Sequence, residues 1–99
     1  MLSKEEVMAI VVTATTPGMT ADLYDESQRR MGLHGALPPG CTQHIAGPGP
    51  EGWRVVAVWD SPEALQGFVT ETLRPTLTAM GVAPPPAPPV VYPLYAQIG

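Results

Sequence analysis

Cysteine occurs once, at Cys41, so neither an intrachain disulfide nor a multi-cysteine zinc site can form. That fits a reducing compartment, and a cytoplasmic location is expected. Basic residues are nearly as scarce. Lys4, Arg29, Arg30, Arg54 and Arg74 are scattered through a chain of formal charge −4 and form no stripe that would neutralise phosphates. No nucleic-acid partner is expected. Long hydrophobic runs are missing too, since no stretch approaches the roughly 18 apolar residues a membrane span needs. Glu5 and Glu6 stand where a signal peptide carries positive charge, so neither secretion nor a membrane partner is expected. Charged residues of both signs make up 14%, against about 25% in typical soluble domains, while 44% of residues are hydrophobic. Much of the surface is therefore uncharged or covered by a partner. The 99 residues suffice for one domain, 1–99, with a modest core.

What is present reads as alternating strands and helices. Residues 7–14 (VMAIVVTA) are short, β-branched and almost continuously apolar, the pattern of a strand buried on both faces. Thr20 is placed to cap a helix over about 21–31, with Asp22, Asp25 and Glu26 early and Arg29 and Arg30 late. Its i, i+4 pairs are Asp25 with Arg29 and Glu26 with Arg30. Leu23, Tyr24 and Met31 are left to pack. Residues 32–41 carry three glycines and two prolines and form an irregular connection. Strands at 42–46 and 53–59 then flank a loop at 47–52 (GPGPEG). This loop is not a phosphate loop, because no helix and no Lys-Ser/Thr pair follows it.

Ser61-Pro62-Glu63 is the clearest helix start, with an N-cap hydroxyl, proline at the first helical position and an acid near the positive dipole end. Ala64, Leu65, Phe68, Val69, Thr72 and Leu73 repeat at helical spacing. Pro75 predicts a kink or restart at Arg74, and Gly81 ends the helix. Residues 82–89 (VAPPPAPP) make a stiff extended connector, and 90–98 (VVYPLYAQI) a last strand that Pro93 interrupts. The order βαββαβ gives an α+β fold: a four-stranded antiparallel sheet with both helices on one face and the other face open.

That open face predicts a homodimer. In 53–59 one side carries Trp53, Val55, Ala57 and Trp59 and the other Arg54, Val56 and Val58; apart from Arg54, neither set belongs in water. The strand at 7–14 and the last strand alternate in the same way. An apolar face of several hundred Å² left wet is unusual for a monomer, and a symmetric dimer closing sheet on sheet covers it.

The chain resembles the dimeric α/β-barrel, ferredoxin-like superfamily that includes antibiotic-biosynthesis-monooxygenase-like and haem-degrading proteins. The likeness rests on element order and on Gly52-Trp53-Arg54-Val55-Val56-Ala57-Val58-Trp59-Asp60-Ser61-Pro62-Glu63-Ala64-Leu65, similar to the superfamily's strand ending in Trp before a Ser-capped helix. It looks closest to small actinobacterial proteins with this segment, which encodes packing and capping rather than chemistry. The resemblance implies a dimer with a cavity and a monooxygenase-like or cyclase-like enzyme without bound cofactor, acting on an aromatic or polyketide-like molecule. A non-catalytic dimer holding a small apolar ligand, or serving as an accessory protein, is the alternative. Haem-degrading relatives carry an axial histidine late in the second helical segment and a tryptophan earlier, and the matching positions here are Thr78 and Phe68, which argues against haem.

If Ala46 pairs with Trp53, then Thr42, His44 and Ala46 share a face with Trp53, Val55, Ala57 and Trp59. This mixed face suits the open side, and Ile45, Val56 and Val58 suit the helices. His44 is then the candidate catalytic acid or base, because histidine exchanges protons near neutral pH; a plain hydrogen-bonded sheet histidine is the alternative. Trp53, His34, Tyr24, Thr42 and Tyr95 are candidate substrate-binding residues, each with a purely structural alternative: His34 as a solvated loop residue, the aromatics as core with satisfied polar tips. Cys41 and His44, three apart on a strand, should face opposite ways and form no nucleophile and base pair. No metal-ligand spacing is present.

Overall fold

The β-branched runs of the sequence assemble into one antiparallel sheet, seen in a computed structural model that describes residues 8–33 and 35–98. Strands β1 (Ile10–Thr16), β2 (Cys41–Gly49), β3 (Gly52–Trp59) and β4 (Val90–Pro93) lie in the order β2-β3-β1-β4. Helix α1 (Ala21–Arg30) joins β1 to β2, while α2 (Pro62–Phe68), a π-helical turn (Val69–Leu73) and α3 (Arg74–Ala79) join β3 to β4. The expected βαββαβ order and α+β class are therefore present. No described helix is long and apolar enough to cross a membrane.

Local chemistry explains both helix starts. The Thr20 hydroxyl accepts from the Leu23 N–H at 3.1 Å, and the Ser61 hydroxyl from the Ala64 N–H at 3.1 Å. In α1, Glu26 takes both arginines, Arg30 at 2.8 Å and Arg29 one residue nearer. The expected Asp25 and Arg29 pair does not form, because Arg29 turns to Glu26 at i, i+3 instead. Pro75 has no N–H for the carbonyl four residues earlier, and the helix absorbs this without breaking: the Arg74 N–H reaches back five residues to Val69 O, so the predicted kink is a π turn.

Several strand limits differ from expectation. β1 runs on to Thr16, and Val7 lies outside the described residues. β2 extends through Pro48 to Gly49, because as an edge strand it can spare a proline's missing donor. The hairpin is thus a two-residue turn, Pro50-Glu51, closed by Gly49 opposite Gly52. β4 stops at Pro93, where the ladder loses a donor, rather than at 98. The tail still donates from Leu94 N–H to Ala9 O and from Gln97 Nε2 to Gln43 Oε1, so it reaches from one sheet edge to the other.

Gly52 is required by the hairpin. Its φ is +135°, and a Cβ there would sit 3.0 Å from Pro17 Cα and Thr16 O, both backbone atoms that cannot rotate away. Gly52→Ala is expected to cost more than about 1 kcal/mol in urea unfolding; an unchanged midpoint would show that the turn relaxes freely.

The placement of the two sheet faces is the main correction. The helices cover the tryptophan side. Ile10, Val12, Cys41, Ala57 and Trp59 form the buried core, with Val55, Ala64, Leu65 and Phe68 packed against it. Trp59 and Phe68 have ring centroids 5.2 Å apart. Ile45, Val56, Val58, Val11 and Tyr92 form the face without helices, the reverse of the expected assignment. The physical reason is area: two indoles bury far more apolar surface beneath helices than small valines do.

Candidate functional site

The register places the site. His44 lies opposite Ala57, Ala46 opposite Val55 and Pro48 opposite Trp53. The expected pairing of Ala46 with Trp53 is off by two residues, and because strand side chains alternate with period two, His44 still shares the tryptophan face. A bulge between Cys41 and Gln43 then shifts the register by one. Cys41 consequently lies opposite Trp59, on the same face as His44, contrary to the expectation from their spacing. Its thiol is buried, donates to Gln43 O at 3.3 Å, and is pushed up by burial, consistent with a core residue.

Between α1, the α2–α3 segment and the sheet lies a cavity of about 420 Å³, within the range of small-molecule sites. Its walls are mostly apolar, including Met19, Met31, Leu65, Phe68, Leu73 and Leu77, and its polar groups gather where α1 faces β2 and β3. There the Tyr24 hydroxyl and His44 Nε2 are 2.7 Å apart, their rings stacked at 6.0 Å and 20°. The Tyr24 ring also lies 5.1 Å from the Trp53 ring. The helix brings Tyr24 here because Tyr24, Gln28 and Met31 recur at i, i+4 and i+7 on one face.

Electrostatics keeps both members of the Tyr24–His44 pair uncharged. Burial pushes the Tyr24 phenol above its ordinary value, with the Asp25 carboxylate adding to it, and burial pushes the His44 imidazole below its own. Both groups are then neutral at pH 7. With the His44 proton on the other ring nitrogen, the phenol donates to Nε2 and the lone pairs of the Tyr24 oxygen remain as acceptor; in the other tautomer Nε2–H donates to the phenol oxygen. Trp53 is buried, and its indole Nε1–H has no acceptor among the described residues. Such an unmet donor costs about 1–3 kcal/mol.

Of the candidates from sequence, the structure brings together His44, Tyr24 and Trp53. Thr42 sits on the bulge, exposed, with its hydroxyl donating to Val58 O at 3.5 Å, and does not line the cavity. Tyr95 is fully exposed in the C-terminal tail. His34 lies outside the described residues. Phe68 packs on Trp59, and Thr78 is exposed on α3. Sequence reasoning missed Gln28 and Ser27 in the cavity wall; the i, i+4 spacing of Gln28 from Tyr24 was the available sign. Ser27 is almost fully buried and donates to Tyr24 O at 2.7 Å, which ties down the turn that carries the phenol. Among the described residues no three His, Cys, Asp or Glu side chains cluster as a metal site.

The fold has known structural counterparts. A candidate antibiotic biosynthesis monooxygenase from Chloroflexus aurantiacus superposes with a TM-score of 0.57 at 13% identity, over 94% of this chain and 97% of that one. The chain shares its fold. A second candidate antibiotic biosynthesis monooxygenase, from Caulobacter crescentus, gives 0.53 at 21% identity over 93% and 91% of the two chains. A conserved protein from Methanosarcina mazei gives 0.54 at 12% identity over 94% and 97%. No protein-family model and no curated protein matches the sequence. At these identities the likeness establishes the ferredoxin-like fold alone.

Proposed function

We propose that the chain is a small-molecule enzyme of the monooxygenase-like kind, acting without a bound cofactor on an aromatic or polyketide-like substrate in the cavity between helices and sheet. The observation that carries this reading is the 2.7 Å contact between Tyr24 and His44 in the wall of an otherwise apolar cavity. A substrate hydroxyl placed on the Tyr24 oxygen gives up its proton as Tyr24 passes its own to His44 Nε2. The resulting enolate supplies electrons to dioxygen; a ring CH₂ becomes a carbonyl, and the second oxygen atom leaves as water. The apolar walls exclude water and hold the ring in place, and the base supplies the proton transfer.

The test is oxygen uptake with a hydroxylated anthrone. One dioxygen consumed per quinone formed, above the rate in buffer, is expected; no acceleration with anthrones or related polycyclic phenols would remove the enzymatic reading. The pH profile is a second expectation. His44 acts as a base only when neutral, and its pKa is lowered. As pH falls, kcat/KM should therefore decline with its midpoint below about 6.5, the ordinary histidine value. A decline centred above 6.5 would contradict the desolvated imidazole.

The reading includes a homodimer through the face without helices, where Ile45 is 57% exposed and Val90 and Tyr92 lie open. Light scattering is expected to give twice the 10.5 kDa of one chain. Ile45→Lys should shift the protein toward monomer while leaving the cavity intact. A parent protein that is monomeric at micromolar concentration would refute this assembly.

A further inference from the structure

We propose that Tyr24 is a redox-active residue, the one-electron donor of the cavity, with His44 taking the phenol proton as the electron leaves and Trp53 feeding the same site. The oxidant is a substrate peroxyl radical, and for that identity the assignment rests on the reading of the cavity as the place where substrate meets dioxygen. A phenol that loses an electron becomes a strong acid, and in an apolar wall its positive charge is costly unless the proton leaves at once. A base already in hydrogen-bond contact takes it without rearrangement. Tyr24 has such a base, since its hydroxyl lies 2.7 Å from His44 Nε2 and burial keeps the imidazole neutral and able to accept. The tautomer with Nε2 bare is the reactive one, and His44, on an edge strand and partly open to solvent, reaches it by exchange with water. The charge that forms then rests on the more exposed member of the pair.

In the step itself, the Tyr24 phenol, neutral His44 and the peroxyl radical ROO• become the Tyr24 phenoxyl radical, an imidazolium and ROO⁻. The phenol O–H bond breaks, an N–H bond forms at Nε2, and one electron passes to the peroxyl. The next substrate enolate returns an electron to the phenoxyl, which takes its proton back from His44. Trp53 behaves in the opposite way. Its ring centroid is 5.1 Å from that of Tyr24, yet its indole Nε1–H is sealed from solvent and has no acceptor among the described residues. An oxidised indole there cannot shed its proton, so it holds a buried charge until it takes an electron from Tyr24. Wherever the hole starts, it ends on the ring that has a base. Trp59 has no such outlet at its own contact, because the ring it meets is Phe68, which is far harder to oxidise.

The test needs neither substrate nor dioxygen. A laser flash ionises the indoles of the protein under nitrogen with an electron scavenger present, and transient absorption follows the radicals. In the parent protein the indolyl band should give way in part to a phenoxyl band, more slowly in heavy water, because a proton moves with the electron. These two readouts do not depend on any variant folding. Tyr24→Phe keeps a ring against Trp53 and should abolish the phenoxyl band although Tyr92 and Tyr95 remain. His44→Gln keeps an acceptor but no base, and should slow the conversion by about 10²-fold, the lower end of what a positioned proton acceptor supplies. An indolyl band that persists in the parent, a phenoxyl band retained in Tyr24→Phe, or a rate unchanged in heavy water or in His44→Gln would each overturn the assignment. Conversion as described in a protein inactive on anthrones would support the redox pair and refute the catalytic reading alone; anthrone turnover without conversion would refute the redox pair alone.

Discussion

Replacing His44 with alanine is expected to lower kcat/KM for the anthrone reaction by about 10²- to 10⁴-fold, the usual loss when a positioned general base is removed. The variant leaves the Tyr24 hydroxyl with no acceptor in the cavity wall, since His44 Nε2 at 2.7 Å is its partner. When a substrate proton passes to the Tyr24 oxygen, no base then receives the phenol's own proton, which the raised pKa holds in place. His44 stands on an edge strand with part of its surface open, so losing its hydrogen bond to Tyr24 should cost about 0.5–1.5 kcal/mol and leave the protein folded. Loss of activity in a folded protein thus separates a chemical role from a structural one. Full activity in His44→Ala would remove the residue from the mechanism.

The largest effect on stability is expected at Trp59. Trp59→Ala should cost about 3–5 kcal/mol, read as a lower urea midpoint with little change in slope. Trp59 is 4% exposed on the inner strand β3, lies opposite Ile10 on one side and Cys41 on the other, and packs against Phe68 with the rings tilted. Gly40 approaches it closely enough that a Cβ there would lie 3.5 Å from the indole and 2.8 Å from Ala64 Cβ. With helix and loop both fitted to the ring, the cavity left by alanine cannot collapse cheaply. Domains of this size hold only about 5–15 kcal/mol in total, so the variant should be marginal at 37 °C. A loss below about 1 kcal/mol would show that the helices are not anchored on this residue.

Features set by a few neighbouring residues were legible in the sequence. Thr20 and Ser61 mark their helix starts because capping is a contact three residues long. That His44 shares a face with both tryptophans was also legible, since a register error of two residues does not change strand parity. The choice of which face the helices cover was not. Both sides of β3 are apolar, and alternation alone ranks neither above the other; the deciding quantity is the area that Trp53 and Trp59 bury against Phe68, Leu65 and α1. The bulge beside Thr42 was equally hidden, because an extra residue in an edge strand leaves no mark in composition. It moves Thr42 out of the site and Cys41 onto the face of His44. Tyr24 and His44 were each singled out, yet their pairing joins a helix to a strand across 20 residues and depends on how α1 lies on the sheet.

The correction of the faces separates two properties that the sequence had tied together. The cavity lies under the helices of one chain, and the face available for a partner lies on the far side of the sheet. Methyl-labelled methionine and isoleucine report on the two sides independently: Met19 and Met31 line the cavity, and Ile45 stands on the opposite face. Titration with 6-hydroxy-1-tetralone should shift the methyl resonances of Met19 and Met31 and leave Ile45 where it is. Movement of Ile45 with Met19 and Met31 unchanged would place the ligand on the uncovered face and contradict the account.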